Sequence, residues 1–256
     1  MTDSLINSED YQPPGEERLA FARAKPRSVA VGVMYRFIRI GSAVFGKRAM
    51  LRLALNASRL FGRFAFELSS ETYGERFHNR AMALSEDILR RHIPRNGTAL
   101  DVGCGQGRAC RMAAKFAAAV TGIDYDNSLI DAARRMTSAE NVEYVHGDVT
   151  RDLGGRRFDL ALLIHVIEHI DDADKILSEL RSAADKLIVE VPDIESDTLN
   201  LVRLDLGQPF YSDGDHVREY TEKILADQLT RNGWTIVETR KNGGAILAVA
   251  TQSVPL

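Results

Sequence analysis

Three glycines and three carboxylates at fixed spacing define the chemistry this chain can do. Thr98-Ala-Leu-Asp-Val102 is a short apolar run that leads straight into Gly103-Cys-Gly105-Gln-Gly107. Glycines there let the backbone turn tightly and approach a bound molecule closely. A helix that starts just after them offers free N–H groups to a carboxylate or phosphate. The spacing is G-x-G-x-G with Asp101 two residues ahead, which differs from the G-x-G-x-x-G of dinucleotide sites. Asp124 closes Val120-Thr-Gly-Ile-Asp124, where a carboxylate can accept both hydroxyls of a ribose. Asp148 follows the next apolar run in His146-Gly-Asp148, where it can accept an exocyclic N–H of adenine. Above the ends of adjacent strands, these three places describe a nucleoside pocket. The competing reading is that Asp124 and Asp148 only cap the helices that follow them.

Three histidines are candidates for further chemistry. His165 follows the apolar run 158–164 and is expected at the pocket floor, contacting ligand or acceptor; the alternative is a buried histidine bonded to backbone. His165-x-x-Glu168-His169 also spells the H-x-x-E-H string of one zinc peptidase class. A peptidase needs that string well inside a helix, and here it begins at a strand end, so no metal is assigned. Glu168 and His169 are expected to hydrogen-bond with loops. His216, in Asp213-Gly-Asp215-His216, precedes a late helix and has an adjacent carboxylate to orient it. It is read as a catalytic or acceptor-positioning group, against a role in fixing the loop. Cys104 sits beside a helix start, but no nucleophilic role is needed.

The elements that must position these groups alternate regularly. Strands are expected at 98–102, 119–123, 142–145, 158–164 and 186–191, with helices at about 106–117, 128–137 and 172–184 between most of them. A helix over 75–92 precedes them, ended by Pro94 and the Asn96-Gly97 turn. After Pro192 about 25 residues show no clear periodicity. A helix at 219–232 follows, then strands at 234–239 and 244–250 joined by Lys241-Asn-Gly-Gly244 as a hairpin. Such alternation argues a parallel sheet covered by helices on both faces.

Ala-Leu-Asp-Val-Gly-Cys-Gly-Gln-Gly (99–107), Gly-Ile-Asp-Tyr-Asp (122–126), His-Gly-Asp-Val (146–149) and Phe-Asp-Leu-Ala-Leu-Leu-Ile-His-Val-Ile-Glu-His (158–169) resemble the successive motifs of class I S-adenosylmethionine (SAM)-dependent methyltransferases, in order and spacing, over roughly 75–250. The resemblance implies an α/β, Rossmann-like, seven-stranded, mostly parallel sheet with an antiparallel edge hairpin and helices on both faces. It implies SAM as cofactor and S-adenosylhomocysteine as product. Methionine would lie near Asp101, Gly103, Cys104, Gly105 and Gly107, ribose on Asp124, and adenine near Tyr125, Asp148 and Val149, with His165 also touching the cofactor. Glu168-His169-Ile-Asp-Asp and Asp215-His216-x-Arg218-x-Tyr220-Thr221…Asn232-Gly233-Trp234 look most like the ubiquinone-biosynthesis O-methyltransferase branch. That branch can hold a divalent metal here, but His165 stands where it would have a Glu.

The reading is therefore a SAM-dependent methyltransferase acting on a small-molecule, saccharide or lipid-like acceptor, most simply at oxygen. The rivals are a non-catalytic SAM-binding regulator and an NAD-dependent oxidoreductase.

The bulk numbers fit one α/β domain with an appendage: 256 residues, 45% hydrophobic, 27% charged, net charge −3. Cys104 and Cys110, six residues apart with a helix between, are expected to be too distant to bridge, and a cytoplasmic setting fits best. No signal peptide and no transmembrane run is expected. Residues 1–17 read as a flexible tail and 71–256 as the catalytic domain. Residues 18–70 between them read as a basic amphipathic helical extension, with eleven Arg or Lys and no acid from Arg18 to Arg63. The extension can act as a lid over the acceptor, contact an anionic membrane peripherally, or bind an anionic acceptor. With one Trp and an acidic remainder, nucleic acid gets little support.

Overall fold

Leu160 and Leu162 pack into one apolar cluster while Ala161 and Leu163 pack into another, so the strand they form is buried on both faces. That two-sided burial is what a continuous apolar run requires. The computed structural model describes residues 29–74, 82–208 and 214–253. The chain divides into two units, Met1–Phe77 and His78–Leu256.

The described part of the first unit is two helices, α1 (Val29–Phe45) and α2 (Lys47–Tyr73), joined at Gly46. The second unit holds a seven-stranded sheet made of β1 (Thr98–Val102), β2 (Ala119–Asp124), β3 (Val142–His146), β4 (Leu160–Ile164), β5 (Lys186–Pro192), β6 (Trp234–Asn242) and β7 (Ala245–Gln252). Its order is β3-β2-β1-β4-β5-β7-β6, and only β7 runs antiparallel to both neighbours. The helices are α3 (Glu86–His92), α4 (Arg108–Ala113), α5 (Asn127–Met136), the single turn α6 (Val149–Asp152), α7 (Ala173–Ala183), α8 (Thr198–Asp205) and α9 (Glu222–Arg231). This is the Rossmann-like, mostly parallel sheet with an antiparallel edge hairpin that the sequence implies. Gly243 and Gly244 both have positive φ, as the tight turn between β6 and β7 demands.

Several boundaries differ from the sequence-based expectation. The helix expected over 75–92 is observed only from Glu86. Residues 75–81 lie outside the described ones, Met82–Leu84 are buried without being helical, and the Ser85 hydroxyl caps the helix through the Ile88 N–H. The unpatterned stretch after Pro192 contains a 3-10 turn, Ile194–Ser196, and then α8, capped by Asp197. Cys104 and Cys110 are not kept apart: both sulfurs pack against Gly122, as free thiols that donate to the Gly105 carbonyl and to Asp101 Oδ2 respectively. The helix between them starts only at Arg108, so Cys104 lies on the loop and folds back over the first turn. Among the described residues, no helix is long and apolar enough to cross a membrane.

Two loop glycines do different work. A Cβ on Gly107, at φ 77°, would overlap the Tyr144 ring and hydroxyl, which donates to the Gly107 carbonyl. A Cβ on Gly105, at φ 51°, would meet nothing within 4 Å. Gly107→Ala should therefore cost about 2–4 kcal/mol from backbone strain plus overpacking. Gly105→Ala should cost only the strain, about 1–2 kcal/mol. Urea unfolding of both variants checks the order.

Candidate active site

The parallel register aligns the carboxyl ends of β1, β2, β3 and β4. Val102 pairs with Ile123 and with Leu163, and Asp124 pairs with His146. The loops carrying the glycines, Tyr125, Asp148 and His165 therefore emerge from the same edge of the sheet.

The glycine loop is tied to β2 before any ligand arrives. The N–H groups of Gly103 and Cys104 both donate to the Ile123 carbonyl, at 2.8 and 3.1 Å. Asp124, 6% exposed, accepts the Gly105 N–H on Oδ2 at 2.8 Å and the Asp126 N–H on Oδ1 at 2.9 Å. Asp101 lies underneath, 2% exposed, where its Oδ2 accepts the Cys110 thiol at 3.1 Å. Burial pushes Asp101 up to about 7, partly offset by its hydrogen bonds from Cys110. Asp101 thus braces the loop and the first turn of α4. Cys104 is buried beside it.

Beyond β2, Tyr125 is 85% exposed at the mouth, and its carbonyl hydrogen-bonds with His146 Nε2. Asp148 caps α6: its Oδ1 accepts the Thr150 N–H at 2.9 Å and the Thr150 hydroxyl at 2.8 Å. These bonds hold its carboxyl below the usual range. Val149 begins that turn, half-buried against the core. The helix-capping alternative thus describes part of what Asp148 does. Asp124 caps no helix, because α5 is capped by Asp126.

At the end of β4, His165 adopts a left-handed backbone, φ 56°, rare outside glycine. Its ring lies between two carboxylates, with Nδ1 3.2 Å from Glu168 Oε1 and Nε2 3.1 Å from Glu190 Oε1. Both glutamates are fully buried, and Glu190 Oε2 accepts the Leu84 N–H at 2.6 Å. Burial alone would lower the imidazole, but the hydrogen bonds and charges of Glu168 and Glu190 outweigh it and raise it to about 9. His165 is therefore an imidazolium at neutral pH. The expected alternative of a backbone-bonded histidine does not describe it.

The segment carrying His216 is pinned to the same place, because the N–H groups of Val217 and Arg218 both donate to the Glu168 carbonyl. His216 Nδ1 lies 3.0 Å from Glu219 Oε1, with both side chains 5% exposed. The His216 ring meets His169 edge-on at 4.7 Å, and His169 Nδ1 lies 3.2 Å from Asp215 Oδ2. Asp213 lies outside the described residues. Glu168, His169 and His216 each place one potential ligand atom within 4.8 Å of the others, close enough to hold a cation. Sequence reasoning missed Glu190 and Glu219. Glu190 was findable, since an acid inside Leu187-Ile-Val-Glu-Val191 must be paired once that strand is buried.

A family model described as a methyltransferase domain matches residues 75–239. The chain belongs to this methyltransferase-domain family. The ubiquinone biosynthesis O-methyltransferase of Coxiella burnetii is 36% identical over 83 residues, 30% of this chain and 35% of that one. That of Brucella ovis is 30% identical over 82 residues, 31% and 33% of the two chains. The match thus spans about a third of the length of these curated relatives. A SAM-dependent methyltransferase structure from Mesorhizobium loti superposes with a TM-score of 0.51 at 18% identity, covering 65% of this chain and 96% of that one. One from Aquifex aeolicus gives 0.52 at 18%, covering 65% and 88%. These two structures share the fold.

SAM is the cofactor of this methyltransferase domain, and the residues present fit it. A carboxylate oxygen can accept two hydrogen bonds. Each Asp124 oxygen uses one on the loop backbone, which leaves one acceptor per oxygen for the two hydroxyls of a ribose.

Asp124→Ala should weaken SAM at least about tenfold by equilibrium dialysis, since it removes both the diol acceptor and the loop tether. His165 yields a pH signature. Its folded value, about 9, lies above the ordinary 6.5, so its stabilisation is complete below pH 6.5 and is lost as pH rises through 9. Denaturant midpoints should fall across that window, and His165→Gln should flatten the fall.

Proposed function

We propose that this methyltransferase transfers the SAM methyl group to the oxygen of a small-molecule or lipid-like acceptor. The observation that carries the reading is the His216–Glu219 pair on a segment anchored to the end of β4, beside the glycine loop. Bound in the pocket, SAM supplies a methyl already activated by its sulfonium, so positioning does most of the work. What an oxygen acceptor still needs is a base. Glu219 holds the His216 ring in one orientation, and His216 serves as the base that takes the proton the acceptor hydroxyl sheds. The partial likeness to ubiquinone O-methyltransferases supports oxygen as the methylated atom and an acceptor with an apolar portion.

In the pocket, Asp124 holds the ribose, Tyr125, Asp148 and Val149 border the adenine, and Gly103, Cys104, Gly105 and Gly107 face the methionine. Asp101 acts as a positioning residue beneath the loop. His165, with a side chain 39% exposed, lines the floor as a fixed positive charge rather than as a base.

Transfer of labelled methyl from SAM into phenolic, saccharide and lipid extracts tests the reading, with alkali-stable label on one hydroxylated compound expected. His216→Asn should cut kcat about 100-fold while leaving SAM affinity within twofold. SAM binding with no transfer to any extract would instead support a non-catalytic SAM-binding protein.

A further inference from the structure

The two helices of the first unit carry more exposed apolar surface than a solvated appendage has reason to show. On α1, Val29, Val33, Phe37, Ile40 and Val44 recur every three or four residues, and each is between 61% and 85% exposed. On α2, Leu53, Leu60, Phe61, Phe64 and Leu68 form a second stripe, each between 54% and 69% exposed. At 100° per residue each set falls on one side of its helix. The helices are not simply unfinished, because they pack on one another: Gly41 is buried against Met50, and Leu55 is 2% exposed.

The charge on these helices is entirely of one sign over a long stretch. From Val29 to Phe66 there are seven cations and no acid, the cations being Arg36, Arg39, Lys47, Arg48, Arg52, Arg59 and Arg63. Arg48, Arg52, Arg59 and Arg63 share one side of α2, turned largely away from the apolar stripe, so the helix has an apolar and a cationic face. Long arginine stems can lie along apolar surface while their guanidinium groups reach a polar layer. A second copy of this face would bring like charges together. An anionic lipid surface answers both features at once, since apolar side chains enter the acyl boundary while the arginines meet the headgroups.

We propose that α1 and α2 form an interfacial docking surface for an anionic lipid bilayer, on which the chain lies without spanning it. The stripes insert, and the arginines of the polar face supply selectivity for negative headgroups. The proposal is independent of which acceptor is methylated.

Flotation of the full chain with vesicles tests it, using phosphatidylcholine alone or with phosphatidylglycerol mixed in. The chain should float with the mixed vesicles, stay behind with the neutral ones, and be released by high salt. Phe37→Ser with Ile40→Ser, and separately Arg52→Glu with Arg59→Glu, should each weaken vesicle binding at least about tenfold. Both pairs are on the first unit, so SAM affinity should be unchanged and reports that the second unit is intact, while an unchanged helical far-ultraviolet circular dichroism signal reports that α1 and α2 still form. Absence of flotation, equal flotation on neutral vesicles, or variants that bind like the parent chain would overturn the proposal. So would self-association by sedimentation that Phe37→Ser with Ile40→Ser abolishes, without any vesicle binding, because that result assigns the face to a second copy.

Discussion

The reversal of strand order at β1 is the constraint from which the rest of the site follows. β2 and β3 are laid down on one side of β1, and the chain then crosses back to place β4 and β5 on the other. Loops leaving β1 and β4 must therefore diverge, and a crevice opens above their carboxyl ends. Backbone N–H groups at that crevice would be left bare, and the sequence places acceptors for them. The Ile123 carbonyl takes two and the Asp124 carboxylate takes two more. The result is a glycine loop fixed to the end of β2, with acceptor capacity left on Asp124.

A second polar assembly, the Glu168–His165–Glu190 cluster, ties the two halves of the crevice together. Two fully buried carboxylates are unfavourable unless something cationic lies between them. The left-handed turn at His165 swings its ring into that position, which gives a physical reason for a strained residue at the end of an unstrained strand. Glu168 also receives the backbone of Val217 and Arg218 on its carbonyl, so one residue anchors both the charged floor and the segment bearing His216. Disturbing the floor would move the His216 segment as well.

Much of this architecture was legible because its signals are local. Four of the five parallel strands announce themselves by ending in or running straight into Asp or Gly, β4 by its unbroken apolar run, and the final hairpin by Asn-Gly-Gly. Asp124 stood out at the end of its strand, and the structure shows that Asp126, not Asp124, caps the following helix. What stayed hidden depends on contacts between distant segments. Nothing near His165 says that Glu190, 25 residues on, will face its other nitrogen. The Cys104–Cys110 proximity was hidden for a different reason: the helix was read as starting at 106, and it starts at 108 because Gly107 takes a left-handed conformation under Tyr144. The helix α8 escaped because its stretch, Thr198–Asp205, is short and lacks strong periodicity, while its one clear signal, the Asp197 cap, sits among several acids.

The central claim is that the crevice is a SAM site and that the glycine loop, with Asp124, is what makes it one. Titration calorimetry of the chain with SAM, S-adenosylhomocysteine and NAD tests it most directly. Saturable binding of SAM and S-adenosylhomocysteine at one site per chain, with no heat from NAD, is the predicted result. Tight binding of NAD with none of SAM would contradict it.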